Sequence, residues 1–328
     1  RMTAVSFGGA YGAAQKEHMV DPFMKESGAE ILFEDYSGGI AEMKAQVEAG
    51  NVQWDAVDIE VIDLERACSE GLLEVLDHSE LPAGEDGTAA ADDFYPEALA
   101  SECGVGVIYW ATVFAYNNDT IGGTTPASIA DFFDTEKIPG KRAMRKRPQV
   151  NLEWALMADG VAKEDLYPLD VDRAFKKMDE IAPHITVWWK SGQQPAQLLL
   201  DGEVVLASGW NGRFYNLIKE DAPMAIEWNQ GLIKLSAYGI PKGSPHPCWA
   251  QQYLAVMTDP KRQAVYAEEI GYPGLHLDSP KYVGEKLAKN LPTHPDNIDK
   301  QVWTDTVWWR DHGQDVHERW NKWMLKNQ

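Results

Sequence analysis

Two aromatic–cation pairs, Trp210 with Arg213 and Trp228 with Lys234, fall within residues 207–243, ASGWNGRFYNLIKEDAPMAIEWNQGLIKLSAYGIPKG. Each sits beside a Gly-flanked turn and an apolar run. Such pairs hold small, partly apolar anions: the ring takes the carbon skeleton and the cation takes an oxyanion. A guanidinium fork accepts both oxygens of a carboxylate, which makes Arg213 the first candidate. Lys234 and Ser236 are two apart on a strand and share a face, so they enter or leave such a site together. Chemistry for turnover is missing from the motifs. There is no GxSxG elbow, no GxxxxGK[ST] loop and no GxGxxG at a strand–helix junction. The eight histidines are scattered and no Cys/His spacing suggests zinc, so neither a metal nor a cofactor is expected.

Bland readings compete at each position. Arg147 belongs to the run Arg142, Arg145, Lys146, Arg147, and a run of cations is usually a solvated face. Arg213 could cap or bridge instead of binding. Thirteen tryptophans are the compositional outlier, and packing accounts for most of them. Stacking of tryptophan on a sugar is the sharper alternative.

Alternating elements must position these residues. Residues 3–7 read as a strand and Gln15–Ser27 as a helix stopped by Gly28. Glu30–Asp35 is a second strand, and Ser37 can cap a helix over Ile40–Ala49. Asp55–Ile59 is a third strand, followed by a helix over Val61–Glu70. This alternation predicts α/β architecture with open, mostly parallel sheets covered on both faces. Ligands then bind at the carboxyl ends of strands, here Gly8-Gly9-Ala10-Tyr11, Ser37-Gly38-Gly39 and Asp58-Ile59-Glu60. Leu81–Asp93 reads as a surface loop. The apolar strand Gly104–Tyr116 is long enough to cross between two domains. The pattern then restarts, and a second crossing falls at Ile233–Ile240. Pro247–Met257 reads as a strand, Pro260–Ile270 as a helix stopped by Gly271-Tyr272-Pro273, and the Trp-rich tail as helical. The crossings divide the chain into a first lobe of 1–112 and 235–300 and a second of 113–234. The tail 301–328 is expected on the second. Paired crossings make a hinge, with a ligand cleft beside it.

Composition bounds the partners. A length of 328 residues suits two compact domains, and the net charge of −21 argues against nucleic acid. No run reaches the length of a membrane span. The opening residues enter a strand almost at once, as in a mature chain trimmed of its signal or in an untargeted one. Cys68 and Cys103 are either bonded to one another, in an oxidising compartment, or free. Cys248 is then left over and is expected to be buried.

Phrases spread along the chain resemble one family. They include PFMKESGAEILFEDY, WDAVDIEVIDLERACSEGLLEVLD, WATVFAYNND, PASIADFFDTEKIPGKRA, LLLDGEVVLASGWNGR, SAYGIPKGS and AEEIGYPG. The chain resembles periplasmic solute-binding proteins of ABC importers, in the spermidine/putrescine-binding branch. The resemblance implies two doubly wound lobes of the type II periplasmic-binding fold that close around a ligand. It also implies a monomer that docks on a cognate permease of the inner membrane and performs no catalysis.

Departures from the branch are as informative as the matches. Polyamine binders set acids against their ligand's ammonium groups. Here Lys234 stands where the branch has an aromatic, Ser236 where it has its key Asp, and Arg147 at one expected acidic position. Arg213 follows the WNG motif. A dication would meet repulsion of several kcal/mol in a desolvated cleft, so a polyamine is rejected. The expected ligand is a small carboxylate, held by Arg213 with Arg147 or Lys234. Ser236 hydrogen-bonds it, and Tyr11, Trp210 and Tyr272 line the apolar part. Glu60 falls where the family contacts ligand and can hold an ammonium. A zwitterion such as a gamma-amino acid is therefore the variant to weigh, as in similar binders of gamma-aminobutyrate. A sugar receptor and an enzyme on the same bilobal fold are the competing classes.

Overall fold

The computed structural model describes residues 1–84 and 87–327. Glu85 and Asp86, inside the stretch expected as a loop, and Gln328 lie outside the described residues. The chain forms two compact units. One comprises Arg1–Trp110 and Lys234–Leu291, the other Ala111–Ile233 and the tail from Pro292. Residues 292–300, expected with the first unit, belong to the second.

The strands in chain order are β1 (Met2–Phe7), β2 (Ile31–Tyr36), β3 (Ala56–Glu60), β4 (Gly104–Asn117), β5 (Arg142–Arg145), β6 (Ile185–Trp189), β7 (Leu206–Trp210), β8 (Met224–Gly239) and β9 (Val302–Trp303). The chain changes unit inside β4 and β8, the two longest strands. All fourteen residues of β4 are buried.

In the first unit the strand order is β2-β1-β3-β8. β1 runs parallel to both β2 and β3, while β8 is antiparallel to β3 and sets Ser236 opposite Glu60. Strands covered on both faces read as unbroken apolar runs, and Ala4, Val5, Val57 and Ile59 are accordingly buried. The first helix is longer than expected. It runs from Ala10 to Ser27, widens into a π-helical turn at Lys16–Val20, and ends where Gly28 turns left-handed at φ 73°. Ser37 does not cap the next helix, Ala41–Glu48, which starts from Ile40 without a side-chain cap.

Pro247–Met257 is a helix, not a strand. Its buried residues Ala250, Tyr253, Leu254 and Met257 recur at helical spacing, and Pro247 is tolerated in a first turn. Cys248 lies in that first turn and is exposed, contrary to the expectation. The neighbouring helix Pro260–Ile270 is delimited as its sequence dictates. The Asp259 side chain accepts from the Arg262 amide, and Gly271 closes the other end at φ 71°.

In the second unit the order is β4-β7-β5-β6, with β9 beside β8. β5 is parallel to β6 and β7; β4 is antiparallel to β7. Ala111, Val113, Trp189, Leu199, Ala207 and Phe214 form one apolar cluster. The 21-residue helix Thr306–Lys326 buries Trp309, Val316, Trp320 and Trp323. Its Trp309 indole donates to Glu153 at 2.7 Å. Trp188 lies edge-on to Trp320 and Trp323 at 5.7 and 5.8 Å. Packing within this unit thus takes up much of the tryptophan.

Candidate ligand-binding site

In the second unit, Trp210 ends β7 and the helix Asn211–Lys219 starts directly after it. That strand-to-helix step puts Arg213 in the first turn, where the amides and helix dipole favour anions. The Arg213 guanidinium lies 5.7 Å from the centre of the Trp210 ring. A second guanidinium, from Arg145 at the end of β5, lies 5.0 Å from that ring and 5.7 Å from Trp189. Trp189 meets Trp210 edge to face at 5.7 Å. Both arginines are buried. Two cations on one ring concentrate positive charge where water is scarce, a setting suited to carboxylate oxygens, whether the chain's own or a ligand's.

Local contacts hold this arrangement. The Ser208 hydroxyl accepts from the Arg145 amide and the Trp189 indole, both at 3.1 Å. Asn151 donates to the Arg145 and Arg147 carbonyls at 2.8 and 2.9 Å. A β-carbon on Gly192 would stand 2.3 Å from the Trp210 ring, so only glycine permits the ring's position.

Arg147 is not part of it. It lies beyond β5, half-buried, and makes no aromatic or ion-pair contact among the described residues. Arg145 is paired with Trp189 in the β5–β6 register, and the strand ends there. The cation that lies over Trp210 from this run is Arg145, two residues before Arg147.

In the first unit, Tyr11 and the ends of β3 and β8 come together. The Tyr11 hydroxyl donates to Asp58 Oδ2 at 2.7 Å, alongside Ser6 at 2.8 Å and Gln15 at 2.9 Å. Its ring lies 5.7 Å from both Tyr266 and Tyr272. Burial pushes the Asp58 carboxyl up to about 6 against those three donors. Burial also holds the Tyr11 phenol well above its ordinary value, so it stays a donor. Glu60, 7% exposed, closes β3 two residues beyond Asp58 and on the same face. Across the ladder, Ser236 and Lys234 share one face of β8 and both are buried. Lys234 Nζ lies 5.3 Å over the Trp110 ring. Trp110 is thus the ring partner of Lys234, while Trp228 packs on the second unit's core. This face carries both signs of charge, where the second unit's face carries two cations.

Sequence reasoning did not single out Arg145, Trp189 or Trp110, and named Asp58 only within a strand end. Arg145 was legible only as one of four clustered cations. Asp58 stood inside a strand end already singled out, and its buried contacts gave no local signal. Cys68 and Cys103 are bonded, with Cα atoms 5.7 Å apart. The bond ties the helix after Glu60 to the start of β4.

A family model described as bacterial extracellular solute-binding protein matches residues 18–296. The chain belongs to the bacterial extracellular solute-binding proteins. As such it is the periplasmic substrate-binding part of an ABC importer, working with a permease, and it is not an enzyme. This solute-binding protein is similar to the gamma-aminobutyric acid-binding protein of Pseudomonas aeruginosa, 37% identical over 99% of this chain and 91% of that one. It is also similar in structure to an ABC transporter substrate-binding protein from Bradyrhizobium japonicum. The identity there is 39%, the TM-score 0.90, and the coverage 98% of this chain and 99% of the other. The GABA receptor Atu4243 is 35% identical with TM-score 0.88, over 98% and 97% of the two chains. These likenesses carry the bilobal periplasmic-binding fold, and no helix among the described residues is long and apolar enough to cross a membrane.

Proposed function

We propose that this solute-binding protein takes a small zwitterion of the gamma-aminobutyrate type, or a small carboxylate of similar length. The carboxylate goes to Arg145 and Arg213 over Trp210. Within the first unit Glu60 is the acid suited to an ammonium, with Tyr11 and Tyr272 as candidate apolar partners. Lys234 and Ser236 orient the solute beside Glu60. Closure of the units on the solute, a monomeric state and delivery to a cognate permease belong to the same reading. The observation that carries it is the pair of buried guanidiniums on one indole. The relatives named for GABA support the same solute class. A polyamine fits this charge pattern poorly, because the face around Trp210 carries two guanidiniums.

Calorimetric titration with gamma-aminobutyrate, succinate, putrescine and glucose tests the assignment. Binding of gamma-aminobutyrate or succinate, and of neither other compound, is expected. Arg213→Ala and Arg145→Ala should each weaken binding about 10- to 100-fold, the worth of a charged hydrogen bond of roughly 1.5–3 kcal/mol. Arg147→Ala should change it by no more than about threefold, as for a partly solvated charge, since Arg145 is the cation of that run over Trp210. Putrescine binding without any anion, or an unchanged Arg213→Ala protein, would overturn the reading.

A further inference from the structure

Glu17, His18 and Glu269 form a second cluster, within the first unit and apart from the contacts above. One carboxylate oxygen from each glutamate and one imidazole nitrogen lie within 4.8 Å of one another. His18 Nε2 faces Glu269 directly, with side-chain exposures of 21% and 38%. The glutamates are 252 positions apart in sequence, so the fold alone joins them. Glu17 and His18 sit in the π-helical turn Lys16–Val20. A turn closed from i to i+5 winds fewer degrees per residue than an α-turn, so adjacent side chains diverge less. Single π-turns inside α-helices are frequent at functional sites. The nearest cation in sequence, Lys16, is engaged by Asp21 at 2.5 Å.

We infer that Glu17, His18 and Glu269 bind a divalent transition-metal ion of the zinc class. One imidazole with two carboxylates is a borderline-soft donor set that suits zinc, whereas magnesium and calcium prefer oxygen throughout. Zinc lies about 2.0–2.2 Å from such donors, so an ion bridges atoms up to roughly 4.4 Å apart. Exposed Glu17 can swing inward, while His18 and Glu269, in direct contact here, must part to roughly 3 Å or more to share one ion. Water completes the coordination.

Bound there, the ion braces two elements of the first unit. The segment Ala10–Ser27 carries Tyr11; the helix Pro260–Ile270 carries Tyr266 and leads into Tyr272. These three rings pack together. The metal therefore ties the backbones behind that aromatic cluster, independently of which solute is carried.

Titration of the EDTA-treated full chain with ZnCl₂, without solute, tests the site. One saturable equivalent is expected, with no competition from equimolar MgCl₂. His18→Ala and Glu269→Gln should each weaken it by about tenfold or more, since even outer partners of metal ligands are worth that much. Near-UV circular dichroism matching the unsubstituted protein confirms that the variants fold. Zinc should slow amide exchange in residues 10–20 and 260–270, and should not do so in His18→Ala. No saturable binding below about 1 mM, the weak end for specific divalent sites, would overturn the inference. So would equal affinity in both variants, or exchange indifferent to zinc.

Discussion

Asp58 shows what a single buried side chain contributes. Its carboxylate accepts from Ser6, Tyr11 and Gln15 through Oδ2, while Oδ1 is buried with no partner among the described residues. Burial raises its pKa from 3.8 to about 6 in the folded chain. The folded state therefore binds this proton more tightly than the unfolded one between those values. Stability from this group is full below pH 3.8, falls as pH rises towards 6, and then levels off. The loss is on the order of 3 kcal/mol, at 1.36 kcal/mol per unit. Urea midpoints measured from pH 4.5 to 7 should show this fall in the unsubstituted protein and a flatter profile in Asp58→Asn. Parallel profiles would remove Asp58 from the account. The same substitution leaves Tyr11 with a weaker acceptor and thereby loosens the ring next to Tyr272.

Elements decide which residues become neighbours. The step from β7 into the helix Asn211–Lys219 brings Trp210 and Arg213 together, and the end of β5 delivers Arg145 to the same ring. At the other site, β3 ends at Glu60 and the helix Val61–Ser69 follows at once. That helix is tied at its far end by the Cys68–Cys103 bond to the chain entering β4. Closing a span of 35 residues limits the unfolded chain by about 3–4 kcal/mol on the loop-entropy model. The double variant Cys68→Ser/Cys103→Ser should lose stability of that order in denaturant unfolding. The buried Cys103 leaves a small cavity as well, so a loss under about 1 kcal/mol would mean the tie constrains little.

Charge acts over the whole molecule. The chain carries 51 acidic and 30 basic side chains, for a net charge of −21. Excess like charge opposes the compact state, and salt screens it, the Debye length shrinking from about 30 Å at 10 mM to about 8 Å at 150 mM. Thermal midpoints should therefore rise with NaCl over this range, by about 2–4 °C for each kcal/mol of repulsion relieved. A midpoint that falls would show that the surface ion pairs, such as Arg262 with Glu26, outweigh the excess acid. The arginines on Trp210 are buried against this field, so local contacts and not net charge govern what they hold.

Local pattern was enough for much of this protein. Apolar runs bounded by glycine and proline marked the strands, and the long run 104–116 announced a crossing, because a strand buried on both faces must be apolar throughout. The departures at Arg213, Lys234 and Ser236 already argued for an anionic group in the ligand. Where the pattern was read with the wrong period, at Pro247–Met257, the residues themselves held the answer at spacings of three and four. Other features had no local trace. Whether Arg145 or Arg147 meets Trp210 depends on where β5 stops against β6, a matter of register. Lys234 finds Trp110, and His18 finds Glu269, across 124 and 251 positions, and sequence spacing is blind to both. Sequence decided which chemistries were on hand, since side-chain type is local. Tertiary structure decided which of them share a site, since proximity comes from pairing and packing between elements far apart in the chain.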